Sequence, residues 1–279
     1  MKIGIIGAGK VGTSLGAYLC KNHIAVSGYY SRTYGHAVCA ADFTETEAYQ
    51  DIKAIVEASD TLFITTPDGE IAKVWDCIAH YNLVGKLVCH FSGSLSSYVF
   101  SRIETTGASG CSIHPMFAFS DKFKSYEKFS AACLTMEGQE GAIQKMRQLF
   151  EGLGHKVCLI KAEDKMKYHA AAALASNYMV GLFQASLNLL CECGFSEADG
   201  RQLLGPLVEN NVRVMLGHPA AEALTGPVER NDAGTVQKHL KVLQGTNAEV
   251  IYRSIGKELL AIARQKNPNQ DYTVLSHLL

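Results

Sequence analysis

Lys165, Lys167, Tyr168, His169, Ser176 and Asn177 are set into an alanine-rich stretch at 165–179, KMKYHAAAALASNYM. At about 100° per residue, His169 and Ser176 fall within roughly 20° of each other, with Lys165 about 40° to one side and Asn177 about 80° to the other. Alanine loses least on entering a helix, so the stretch is expected to be helical. Ala172 and Ala173 leave room for a ligand between the polar groups. Such a face offers proton transfer and hydrogen bonding to a small polar substrate. His169 is the expected acid/base, because histidine gives and takes a proton near neutral pH. Ser176 and Asn177 are expected to orient the substrate, with Lys165 beside them. Tight packing of this helix at an interface between two copies is the alternative use of the same residues.

Two other places carry candidate chemistry. His114 precedes Pro115 in GCSIHPMF, at the expected end of a strand, and is read as a second polar contact to substrate. Arg230 and Asp232 lie in TGPVERNDAGTV, where a guanidinium suits an anionic substrate group held by two parallel hydrogen bonds. A plain Arg230–Asp232 surface pair, worth little, is the alternative there.

A cofactor is indicated by KIGIIGAGKVG, which places Gly7, Gly9 and Gly12 in the G-x-G-x-x-G spacing of a dinucleotide turn, after a strand and opening a helix. Gly7, Ala8, Gly9, Lys10, Val11 and Gly12 are the expected pyrophosphate contacts, since a helix N-terminus offers free N–H groups and the positive end of its dipole. NAD sites carry an acid about 20 residues on. Here the second strand ends in Ser31, Arg32 and Thr33, and no acid occurs before Asp42. Guanidinium and hydroxyl donors suit a 2′-phosphate, so NADP is favoured over NAD. Thr66, Pro67 and Ser92, at later strand ends, are expected to line the nucleotide.

These residues need a frame. Through about residue 161, short apolar runs alternate with helical patterns, which predicts a parallel sheet covered on both faces. Helices are expected over 70–80, 95–104 and 139–152. Beyond 161 strand-like runs give way to helical ones at about 164–193, 196–216, 234–243 and 247–265, with Ser196 as an N-cap. The expected fold class is α/β: a Rossmann-type doubly wound parallel sheet in 1–161, then an all-helical domain for substrate and dimerisation in 162–279.

Composition agrees with a globular protein of two domains: 279 residues, 47% hydrophobic and 19% charged. The net charge of −1 gives no reason to expect nucleic acid as a partner. No apolar run reaches the roughly 20 residues of a membrane span. The chain begins directly with a strand and shows no leader pattern, and a cytoplasmic location is expected. The nine cysteines are odd in number and lack a C-x-x-C pair, which suggests reduced thiols packed as small hydrophobes. Cys191 and Cys193 form a lone C-x-C without ligand partners, so no metal is expected.

The strings HFSGS, SIHPMFAFS, YHAAAALASN and LTGPVERND, together with the glycine turn, carry a resemblance that spans nearly the whole chain. The chain resembles the 6-phosphogluconate-dehydrogenase-like oxidoreductases, a plan shared by ketopantoate reductase, pyrroline-5-carboxylate reductase and the β-hydroxyacid dehydrogenases. More closely, it resembles a bacterial family of Rossmann-like proteins whose helical domain is of unknown function. The resemblance implies an NADP-dependent oxidoreductase that is a homodimer through its helical domain. In the resembling dehydrogenases the first long helix of that domain presents a catalytic lysine one turn before an asparagine. Asn177 is present here, but Ala173 stands in the lysine's place. Hydride transfer between NADP(H) and a small carbonyl, imine or alcohol is the expected activity. An NADP-binding sensor or scaffold without turnover is the alternative.

Overall fold

The computed structural model describes all residues from 1 to 279, and the chain divides into two compact units, Met1–Ala173 and Leu174–Leu279. The division falls inside the alanine-rich helix rather than at residue 161, because that helix's first turns pack against the sheet.

The first unit is an eight-stranded sheet: β1 (Ile3–Ile6), β2 (Val26–Tyr30), β3 (Glu47–Tyr49), β4 (Thr61–Ile64), β5 (Leu87–His90), β6 (Ser109–Pro115), β7 (Leu134–Gly138) and β8 (Val157–Leu159). Their order is β3-β2-β1-β4-β5-β6-β7-β8, so the chain reverses its direction of winding at β1, which lies between β2 and β4. The crevice at such a reversal is where open α/β sheets bind ligands. All neighbours are parallel except β6 and β7. That pair departs from the expected all-parallel sheet because no α-helix crosses between its strands. A 3₁₀ segment, Ser125–Ala131, is the regular structure in that connection.

Both faces are covered, which is why the strands read as apolar runs. On one face α1 (Lys10–Lys21) and α2 (Tyr34–Thr44) bury Leu15, Leu19, Ala37 and Ala40 against Ile3, Ile5, Phe63 and Cys89. On the other, α3 (Ile52–Ala58) and α4 (Asp68–Ile78) bury Ile55, Val56, Ile71 and Trp75 against Ile6, Leu62, Ile64 and Val88. The helix α5 (Glu140–Gly152) places Ala142, Met146 and Phe150 on the first face. The helix expected over 95–104 forms only as two 3₁₀ turns, Ser97–Val99 and Ile103–Thr105. Phe100 and Ile103 there are held by the core under α4, not by a helical ladder.

The alanine-rich segment begins as α6 (Lys165–Ala173), widens into a π-helical turn at Leu174–Tyr178, and continues as α7 (Met179–Glu192). The second unit adds α8 (Glu197–Gly217), α9 (Ala220–Ala223), α10 (Ala233–Leu243), α11 (Asn247–Lys266) and α12 (Thr273–Leu278). Ser196 caps α8 as expected, its hydroxyl accepting from the Asp199 N–H at 3.1 Å. Val236, Leu240, Leu260, Ala263 and Leu275 form this unit's core. No helix is long and apolar enough to cross a membrane. Only Cys89 and Cys111 pack as buried hydrophobes; Cys20 is half-buried and the other six thiols are exposed, contrary to the reading of all nine as core residues.

Candidate functional site: a glycine turn and a histidine cluster at the strand ends

The turn after β1 is shaped by its glycines for different reasons. Gly7 has φ of +114°, a conformation only glycine adopts without strain, and its N–H donates to the Tyr30 carbonyl at 2.8 Å. A Cβ on Gly12 would lie 2.0 Å from the Gly7 carbonyl oxygen, so helix and strand approach as closely as glycine permits. Gly9 is different: a Cβ there would meet no atom within 4 Å. The protein's own packing therefore does not require glycine at that position, whereas a backbone-hugging pyrophosphate does. The first turn of α1 carries no acid, which leaves its N–H groups to an anion.

Gly7, Ala8 and Gly9 join Ser31, Arg32, Thr33, Thr66 and Pro67 around one cleft of about 410 Å³. The Thr66 hydroxyl is buried there without a hydrogen-bond partner, a group that a ligand would satisfy. Lys10 and Val11 start the helix outside this lining. Among the cleft residues that sequence reasoning missed are His36 from α2, and Glu70 and Lys73 from α4. Glu70 lies 3.5 Å from Arg32 and 2.8 Å from Lys73. A spacing rule along β2 could not reveal Glu70 and Lys73, which arrive from beyond β4, whereas His36 lies in the first turn of the helix that follows β2.

Beside the cleft, the ends of β5 and β6 carry a cluster of histidines. His90, wholly buried, accepts from the Ser92 N–H at 3.3 Å through Nδ1 and meets the Ser96 carbonyl at 3.2 Å through Nε2, so we assign the proton to Nε2. Ser92, also buried, accepts from the N–H groups of Ser94 and Leu95 at 3.1 and 2.9 Å. Its hydroxyl shapes this loop rather than lining the nucleotide cleft. Ser94 donates to Asp68 at 2.6 Å, which ties the loop to the lip of the cleft.

The helix α6 docks over this loop and β6 in register. Lys165 reaches Ser112, and Tyr168, one turn on, bonds His114 Nδ1 at 2.7 Å. Lys165 is thus buried, not a surface group open to substrate, and lies 3.6 Å from the buried Glu137. Glu137 also accepts from the Ser97 N–H and hydroxyl at 2.8 and 2.7 Å. Burial pushes the Lys165 ammonium down to about 8, against the pull of Glu137. His114 is held down at about 4, chiefly by burial and then by the charge of Lys165. With the Tyr168 phenol donating to Nδ1, we assign the neutral ring's proton to Nε2.

His169 completes the group. The His114 and His169 rings stand edge to face, 6.0 Å apart between centres. Both meet at Gly93: a Cβ there would fall 2.6 Å from His169 Nδ1 and 2.7 Å from His114 Nε2. His169 Nδ1 is buried and has no hydrogen-bond partner. The two histidines, 55 residues apart in sequence, are brought side by side.

The remaining candidates belong to the second unit. Ser176 and Asn177 are exposed within the π-helical turn, with the Ser176 hydroxyl donating to Asn177 Oδ1 at 3.1 Å. Through that turn the steady advance of about 100° per residue does not apply, so the shared-face argument linking them to His169 lapses. Asp232 is the N-cap of α10, accepting from the Thr235 N–H at 3.0 Å and hydroxyl at 2.7 Å. Those bonds hold its carboxyl below the usual range, with Arg230 a smaller influence. Thr225, Pro227 and Val228 of the same loop line an apolar cavity of about 340 Å³, where Tyr252 and His239 are bonded at 3.0 Å; exposed Arg230 is not in that lining. No group of three or more His, Cys, Asp or Glu is placed to hold a metal.

Sheet order, glycine turn and helical second unit together define a Rossmann-type dinucleotide fold with a helical C-terminal part. Residues 1–115 match a Rossmann-like domain and residues 132–259 match a domain of unknown function (DUF2520), the domain pair of the family that the sequence resembles. Among solved structures, the chain is similar to protein TM1727 from Thermotoga maritima, at 26% identity and a TM-score of 0.76, covering 95% of this chain and 99% of that one. It is similar in fold to BF3122 from Bacteroides fragilis, named as a candidate NADP oxidoreductase, at 20% identity and 0.73, covering 93% and 98%. A reductive aminase from Aspergillus terreus in complex with NADPH and ethyl levulinate matches at 18% identity and 0.68, covering 99% and 98%. No curated protein matches the chain.

Proposed function

We propose that the protein is an NADP-dependent oxidoreductase that transfers a hydride between NADP(H) and a small carbonyl, imine or alcohol. One observation carries the reading: the hydrogen bond from Ser94 to Asp68 ties the lip of a dinucleotide cleft to a loop on which two histidines converge. NADP(H), when bound, supplies or accepts the hydride. Gly9 and the open first turn of α1 receive its pyrophosphate, and Ser31, Arg32 and Thr33 its ribose phosphate. His114, neutral at about pH 7, donates from Nε2 to the substrate heteroatom while Tyr168 holds its other nitrogen. His169 exchanges the proton at that heteroatom. The likeness to a reductive aminase puts imines first among substrates to screen.

The reading is tested by titrating the protein with NADPH and NADH, followed by NADPH consumption with oxo acids and imines. His169→Ala is expected to lower kcat/KM by about 10²- to 10⁴-fold, the usual span for a lost acid/base, with NADPH affinity kept. Turnover that survives this change removes the role given to His169. Binding without any turnover by the unaltered protein moves the reading to an NADP-binding sensor.

The protein is further inferred to be a homodimer. Helices α7 and α8 expose Val180, Leu182, Leu203, Leu207 and Leu216, apolar side chains that a second copy would cover.

A further inference from the structure

We propose that Glu70 sets the dinucleotide preference of the cleft, competing with a ribose 2′-phosphate for Arg32 and accepting a ribose 2′-hydroxyl. The inference rests on the cofactor reading above and deepens it.

NAD sites place the acid that binds this hydroxyl at the end of β2. Here that place holds Ser31, Arg32 and Thr33, and the first acid on, Asp42, sits in the last turn of α2. The carboxylate arrives by another route. Because β2 and β4 flank β1, the residues following each strand face the same glycine turn, and the first turn of α4 carries Glu70 into the cleft. There Glu70 stands between two cations, 3.5 Å from Arg32 Nη1 and 2.8 Å from Lys73 Nζ. The Lys73 hydrogen bond and charge, with Arg32 beyond, hold its carboxyl below the ordinary range, so it is ionised at neutral pH.

The pair is poised to exchange partners. The Arg32 side chain is 88% exposed and makes a long contact, and exposed ion pairs of this kind are weak. A phosphate monoester carries about −1.5 to −2 charges at neutral pH and outcompetes a single carboxylate for a guanidinium, but it must displace Glu70 and then tolerate it nearby. A neutral 2′-hydroxyl makes the opposite demand, because it needs an acceptor and Glu70 supplies one. The cleft therefore takes both dinucleotides, and its preference for NADPH is held below what Arg32 alone would give.

The test is the dissociation constant for NADPH and for NADH, read by fluorescence, in the unaltered protein, Glu70→Gln, Arg32→Ala and the double variant. Glu70→Gln is expected to tighten NADPH by about 3- to 10-fold and to weaken NADH, with the NADPH gain vanishing when Arg32 is alanine. The inference is overturned if Glu70→Gln moves both dinucleotides alike, changes neither, or tightens NADPH equally without Arg32. If the unaltered protein binds neither dinucleotide, the cofactor reading itself fails and this inference with it. Both residues lie at the surface of the cleft, so these substitutions leave the core untouched.

Discussion

Buried imidazoles make this site sensitive to acid. His90 is held down at about 3 and His114 at about 4, in each case chiefly by burial, while an unfolded chain protonates both near 6.5. Between those values the unfolded state binds more protons, so stability falls as the pH drops below about 6.5. At about pH 5 His90 alone costs about 2 kcal/mol of folding free energy, and His114 acts in the same direction. Denaturant unfolding at about pH 7 and about pH 5 should show this loss, and His90→Gln, whose amide can replace both hydrogen bonds, should show a smaller one. Equal acid losses in the two proteins would remove His90 from the account. Along the chain, His114 and His169 were recognisable as candidates from residue type and position. His90 was not, because its role is to bond the loop it precedes.

At the scale of the element, two segments show how a pattern can be right in kind and wrong in consequence. The alanine-rich stretch is helical, but its π-helical turn changes the phase at which Ser176 and Asn177 emerge. Helix propensity says nothing about which residues take a wider turn. The TGPVERND loop is the second case. Asp232 looked like a partner for substrate and proves to be the cap of α10. Asp232→Ala is expected to lower stability by about 1 kcal/mol, as lost caps do, with KM unchanged, while Asp232→Asn retains most of the stability. Thermal unfolding together with steady-state kinetics separates the outcomes. A raised KM without a loss of stability would return Asp232 to the substrate.

At the scale of the whole molecule, the exposed apolar residues of α7 and α8 predict association. Sedimentation or light scattering should report twice the 30.3 kDa mass of one chain, and Leu207→Asp should shift the population toward single chains. A single-chain mass for the unaltered protein at micromolar concentration would overturn the dimer.

What the sequence by itself determined is what depends on local pattern: the apolar runs that become strands, the glycine turn, the cap at Ser196, and the change from sheet to helix. These follow from side-chain periodicity and backbone freedom within a few residues. Tertiary structure alone decided the rest. It placed Lys165 against Ser112 and Glu137, brought His114 and His169 together over Gly93, and carried Glu70 to Arg32. Each pairing joins residues from separate elements, and the order in which strands assemble around β1 is not written in the spacing of any one of them.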